Sequence, residues 1–216
     1  HNREEPLWAA FVDHAPEMLK FVEAHSPTRF NPNRDPDPYA EAPGGMAWGR
    51  NISAAPIRIG QLGPWRGKIR TPTSDVRLSY EEIVDTFLFA APKKNVIRFL
   101  PHLIWRKLTG ARTRGTALTI GLLKGCLDHG VEIWSETSAL RLLTDDVGVT
   151  GLEAECGGRS ITIEATKGVV LASGGFEWNK DMMAEHFPGP VEWTASPRTN
   201  TGDGQRMAAE IGARLD

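Results

Sequence analysis

Gly168-Val169-Val170-Leu171-Ala172-Ser173-Gly174-Gly175-Phe176 is the stretch on which the reading of this chain turns. Its apolar run has no polar alternation, so it reads as a strand buried on both faces of a sheet. It closes on Ala172, Ser173, Gly174 and Gly175, whose small side chains let backbone come very close to a flat or anionic ligand. In open α/β sheets ligands lie at the carboxyl ends of the strands, which is where these four residues fall. A tight turn with a glycine at positive φ would give the same string with no ligand.

Downstream, Asn200-Thr201-Gly202-Asp203-Gly204 opens a helical pattern over 204–213. A polar, glycine-bearing loop at a helix N-terminus offers free N–H groups and the positive end of the dipole. Thr201 or Asp203 is the expected cap. A shorter helix is expected after Asn179. Upstream, the hydrophobic period falls from about 3.6 to about 2 after Gly130. Short strands are expected over 131–134, 139–143, 149–154, 160–165 and 167–172, with turns at Asp145-Asp146 and Gly157-Gly158.

Before Gly130 the signals are helical. The pattern over 114–129 contains Gly115, Gly121 and Gly125, small residues that would let a sheet pack closely. Cys126 is expected on its inner side as a small core residue. A patch over 95–108 is interrupted by Pro101, and Ser79 with Glu82 three residues on reads as a capping box ahead of Ile83, Val84, Phe87 and Leu88. Residues 26–79 are punctuated by prolines and read as a long loop, and 4–24 as one amphipathic helix.

Of the 216 residues 24% are charged and 40% hydrophobic, with a formal charge of −2. That is an ordinary globular composition; it excludes a disordered chain and a nucleic-acid binder working by bulk positive charge. Two cysteines rule out a disulfide framework and a four-thiolate zinc site, and the six histidines form no i, i+4 pair, so no metal is expected. Ser173 lacks the Gly-x-Ser-x-Gly elbow of a hydrolase. No run of about 18 apolar residues is present, so a cytoplasmic protein is expected. Residues 86–127 hold basic residues interleaved with apolar ones and no acid. That stretch reads either as outer helices whose stems cover apolar surface, or as a face for peripheral membrane contact or a partner.

The order of these signals is more specific than any one of them. The 114–129 helix, Gly130-Val131, Thr137, Leu140, Gly151, the 168–176 stretch and Asn200-Thr201-Gly202-Asp203-Gly204 together resemble the flavoproteins of the fumarate reductase and 3-ketosteroid dehydrogenase type. The likeness is strongest over 114–216 and looser over 8–22 and 36–50. The resemblance implies an α/β fold, a Rossmann-like FAD-binding domain fragment with an inserted antiparallel β-section, divided at 113/114. It implies FAD as cofactor and hydride transfer across a C–C bond beside a carbonyl, in a steroid-like enone or a dicarboxylate. It places the backbone near Ala139 by the adenine, Ala172, Ser173, Gly174 and Gly175 against the dinucleotide, and Asn200, Thr201, Gly202 and Asp203 near the flavin.

Two departures qualify the likeness. The family's G-x-G-x-x-G turn is absent, and the chain, running from His1 to Asp216, is expected to be the middle of a longer flavin domain that holds FAD weakly alone. The steroid dehydrogenases carry a catalytic tyrosine in a Pro-Asp-Tyr motif; here the triplet is Pro36-Asp37-Pro38, and Tyr39 follows one place later. Tyr39 is therefore the candidate catalytic residue. The reading from a different class is a binding or interaction module without flavin.

Overall fold

The computed structural model describes residues 5–70, 72, 76–84, 92–187 and 189–215. The chain divides into two compact units, His1–Glu132 and Ile133–Asp216.

The first unit holds helices α1 (Glu5–His25), α2 (Tyr80–Val84), α3 (Pro92–Thr109) and α4 (Arg114–Asp128), with short strands β1 (Phe30–Pro32), β2 (Ile52–Ala54), β3 (Ile57–Arg58) and β4 (Ala111–Arg112). β1 pairs antiparallel with β2, and β3 with β4. Within the proline-rich stretch β1, β2, β3 and a 3-10 segment at Ile59–Gly67 supply local order that the expected loop lacks. Ala54, Ile57 and Leu62 from that stretch close on Ala117 and Ile120 of α4 to form a core cluster.

Gly121 and Gly125 of α4 do admit close backbone, but the neighbour is the turn after α1 and not a sheet. A Cβ on Gly125 would stand 2.7 Å from Ser26 Cβ and 2.8 Å from the His25 carbonyl oxygen, and one on Gly121 would meet Thr28. Cys126 is exposed, correcting its expected core position. Gly125 occupies the packed side, and the next residue is rotated about 100° away from it. α3 runs through Pro101 without stopping, since proline removes one interior hydrogen bond but does not forbid the turns on either side.

The Ser79–Glu82 capping box forms: Ser79 N–H donates to Glu82 Oε2 (2.9 Å) and Glu82 N–H to Ser79 Oγ (3.3 Å). Phe87 and Leu88 of that expected helix lie outside the described residues. Glu82 also receives both guanidinium nitrogens of the buried Arg106, at 2.6 and 3.0 Å. Burial works against the Glu82 charge, but Arg106, the Ser79 N–H and His102 outweigh it and hold its carboxyl below the usual range. Arg77 and Arg106 each donate to the other's carbonyl oxygen, which fastens α3 to the segment before α2.

The second unit is a three-stranded antiparallel meander, β5 (Thr137–Thr144), β6 (Val149–Cys156) and β7 (Arg159–Glu164), followed by α5 (Lys180–His186) and α6 (Asp203–Glu210). The expected turns appear. Asp145 Oδ1 accepts the N–H groups of Val147 and Gly148 at 2.8 and 3.0 Å, bonds that lower its pKa. Gly157 and Gly158 both take positive φ (58° and 77°), the two-glycine turn that matches strand twist.

Two expected strands are not formed: residues 131–134 and 167–172 have no ladder partner among the described residues, and Val170 is 91% exposed. An apolar parallel strand is buried only between flanking strands, and all ladders among the described residues are antiparallel. The fold is thus α/β in content, helices with antiparallel ladders.

Candidate functional site

In the second unit, the two glycine-bearing loops singled out in the sequence meet. Gly202 N–H donates to the Gly175 carbonyl (3.1 Å), and Trp178 N–H donates to the Asn200 carbonyl (3.0 Å). Gln205 Nε2 donates to the Gly174 carbonyl (2.9 Å), and Asn179 Nδ2 to the Thr201 carbonyl (3.0 Å). Two stretches more than 20 residues apart in sequence are therefore fixed to each other by two main-chain bonds and two side-chain bonds to carbonyls.

The glycine at 202 is required twice over. Its φ is 80°, and a Cβ there would meet Met182 Sδ and stand 2.9 Å from Phe176 Cβ. Neither Thr201 nor Asp203 caps α6; Gly202 is the N-cap residue and makes no side-chain cap bond. The cap comes from across the junction, where Gly204 N–H donates to Ser173 Oγ at 3.1 Å. Thr201 Oγ1 instead donates to Asp203 Oδ2 (3.0 Å), and Arg206 Nη2 pairs with Asp203 Oδ1 (2.6 Å). Asp203 stands in the first turn of α6, where its charge complements the positive end of the helix, while the Ser173 hydroxyl supplies the hydrogen bond to Gly204 N–H.

Beside this junction lies a cavity of about 250 Å³ lined by Leu171, Ala172, Ser173, Gly174, Gly204 and Gln205 among others. Gln205 Oε1 is buried and makes no hydrogen bond among the described residues. A second, larger depression of about 820 Å³ lies along α5, with Trp178, Met183, Phe187, Val191 and Trp193 in its walls. Among the described residues no His, Cys, Asp or Glu cluster could hold a metal ion.

The structure thus joins Ser173, Gly174 and Gly175 to Asn200, Thr201 and Gly202. Ala139 sits in β5 opposite Ala154, next to a register irregularity, and is not part of the cavity lining. Tyr39 belongs to the first unit and is 71% exposed. Its backbone is held tightly: Tyr39 N–H donates to Asp37 Oδ1 (2.9 Å), and buried Asp37 pairs with Arg50 Nε at 2.6 Å. Sequence reading missed Gln205 and Asn179, side chains that reach carbonyls 31 and 22 positions away, and no local pattern marks such a bond.

Comparison with known proteins gives this geometry its setting. The 3-oxosteroid 1-dehydrogenase of Mycobacterium tuberculosis (strain ATCC 25618 / H37Rv) is 34% identical over 229 residues, covering 96% of this chain and 40% of the relative. A 4-oxocyclohexanecarboxylate 2-dehydrogenase of Sinomonas cyclohexanicum is 33% identical, covering 97% of this chain and 36% of its own length. The crystal structure of 3-ketosteroid delta1-dehydrogenase from Sterolibacterium denitrificans, in complex with 1,4-androstadiene-3,17-dione, superposes with a TM-score of 0.81 at 30% identity. That match covers 95% of this chain and 40% of that one. The chain therefore spans about 40% of the length of these relatives. Residues 1–216 match the FAD binding domain family, and the chain belongs to it.

Proposed function

We propose that this chain is part of a Rossmann-like FAD-binding domain in an oxidoreductase that moves two hydrogens across a C–C bond beside the carbonyl of a cyclic ketone. A 3-ketosteroid or a related hydrophobic enone is the substrate class. The observation that carries this reading is the junction of the two glycine-bearing loops, with the small-residue cavity beside it. The relatives' names support the substrate class, since each couples a ring oxo group to a dehydrogenation. The reading of a module without flavin draws no support from the family match.

The cavity fits part of a dinucleotide on its own chemistry. Small residues leave room for a flat group, and buried Gln205 Oε1 is an acceptor waiting for a donor. Ser173, Gly174, Gly175 and Gln205 would hold the cofactor on one side, with Asn200, Thr201, Gly202 and Asp203 shaping the wall beside them and the Ala139 backbone serving the adenine. When bound, FAD supplies the two-electron acceptor or donor for the hydride. Tyr39 is the residue proposed to handle the accompanying proton, its main chain fixed by Asp37 while its ring stays free to meet a substrate. The depression walled by Trp178, Phe187 and Trp193 offers apolar surface suited to a hydrophobic ring system.

The test is made on the full-length protein. It should purify yellow or take up added FAD, and should oxidise a 3-ketosteroid in the presence of an artificial electron acceptor. Tyr39→Phe should lower turnover at least about a hundredfold while leaving flavin absorbance unchanged. A colourless protein that takes up no FAD sinks the reading.

A further inference from the structure

The helix α3 carries Lys93, Lys94, Arg98, Arg106 and Lys107 and no acidic residue, and no acid occurs anywhere from 86 to 127. Its inward face is accounted for by Phe99 and Arg106, both buried, the latter on Glu82. At about 100° per residue the opposite face is a stripe of Ile97, Leu100, Ile104 and Leu108, with Trp105 at its margin. All five are exposed, Ile97 at 72% and Leu108 at 81%. The exposed cations flank that stripe on both sides: Lys94 and Arg98 beside Ile97 and Trp105, and Lys107 beside Leu100 and Ile104.

We propose that this face of α3 docks the protein on an anionic lipid bilayer. An apolar stripe bordered on both edges by cations is the geometry of a helix lying in the plane of the interface. The apolar side chains enter the acyl boundary while the lysines and arginines meet the headgroup phosphates. Trp105 at the margin, with the Arg58 guanidinium 5.7 Å from its ring centre, suits the headgroup level, where amphipathic rings collect. Charge separates this face from the open apolar face of α1. α1 also exposes Leu7, Phe11 and Phe21, but it carries Glu5, Asp13, Glu17 and Glu23, which an anionic surface repels. No described helix is long and apolar enough to cross a membrane, so the contact is along the surface. The inference stands apart from the flavin reading, because it uses none of the residues of the loop junction.

Co-sedimentation of the full-length protein with phosphatidylcholine vesicles, with and without phosphatidylglycerol, tests the proposal. Binding should require the anionic lipid. It should fall as salt rises from about 0.1 M to about 1 M, which shortens the Debye length from about 10 Å to about 3 Å. Lys94→Ala with Lys107→Ala should weaken it about thirtyfold, or about fivefold per cation. Ile97→Ser with Leu108→Ser should weaken it at least about tenfold. All four side chains are exposed, so unchanged circular dichroism is expected and will show that the fold is kept. The proposal is overturned if binding is absent, is equal for both vesicle types, or survives these substitutions. It is equally overturned if the substitutions change self-association or capture of a protein partner while lipid binding is unaffected.

Discussion

Replacing Glu82 by glutamine removes the charge that Arg106 faces while leaving an oxygen for the Ser79 N–H. The two side chains are 13% and 9% exposed, so the guanidinium left behind has little access to water and keeps, among the described residues, the Arg77 carbonyl at 2.6 Å and the amide oxygen of the new glutamine. Breaking a buried pair from one side costs about 3–5 kcal/mol, and the retained amide contacts favour the lower end, about 3 kcal/mol. At about 1.4 kcal/mol per tenfold, hydrogen exchange of the α3 amides in the full-length protein should accelerate roughly a hundredfold. Glu82→Gln combined with Arg106→Met should exchange more slowly than the single variant, because no uncompensated cation remains. Exchange within about threefold of wild type, or a double variant faster than the single, would refute the reasoning. The pH dependence has a definite sign. Burial opposes the Glu82 charge, but Arg106, Ser79 and His102 bring the folded-state pKa below the ordinary 4.5. The pair's contribution is therefore fully present above that ordinary value and fades as pH falls through the lower, folded one.

Further substitutions probe the candidate site and the packing that supports it. Gly202→Ala combines an unfavourable left-handed backbone with a Cβ 2.9 Å from Phe176 Cβ; a cost of about 2–4 kcal/mol should appear as loss of bound flavin on gel filtration. Ser173→Ala deletes the cap on Gly204 N–H at a cost of about 1 kcal/mol, read as a roughly fivefold weaker FAD affinity in a fluorescence titration. Within α4, Gly125→Ala should lower the midpoint of thermal unfolding, because the new methyl meets the His25 carbonyl. Gly115→Ala faces open space and should raise it, gaining up to about 1 kcal/mol.

Where the signal is local, the sequence is a good guide. The capping box needs only Ser79 and Glu82 three residues apart, and the Asp145 and Gly157-Gly158 turns are closed by their own neighbours. Reading fails where the partner is distant. The Ser173 hydroxyl that caps α6 lies 31 residues from the N–H it accepts, so Thr201 and Asp203 look like the better caps from their adjacency alone. The spacing of Gly121 and Gly125 announces close packing, but it cannot say that a turn is the neighbour, nor that Cys126 is left outside. The 200–204 loop and the 172–175 residues stand out separately by composition. Their joining through Gly202 and Gly175 is a tertiary fact.

The unpaired run at 168–172 has a consequence for handling the protein. From Gly168 to Phe176 there is no charge, and Val169 and Val170 are strong strand formers whose backbone lacks a ladder partner among the described residues. Such a segment is a template for strand addition by another copy, and it is flanked by the single cation Lys167 on one side and the anion Glu177 on the other. Those two charges act as gatekeepers against self-association.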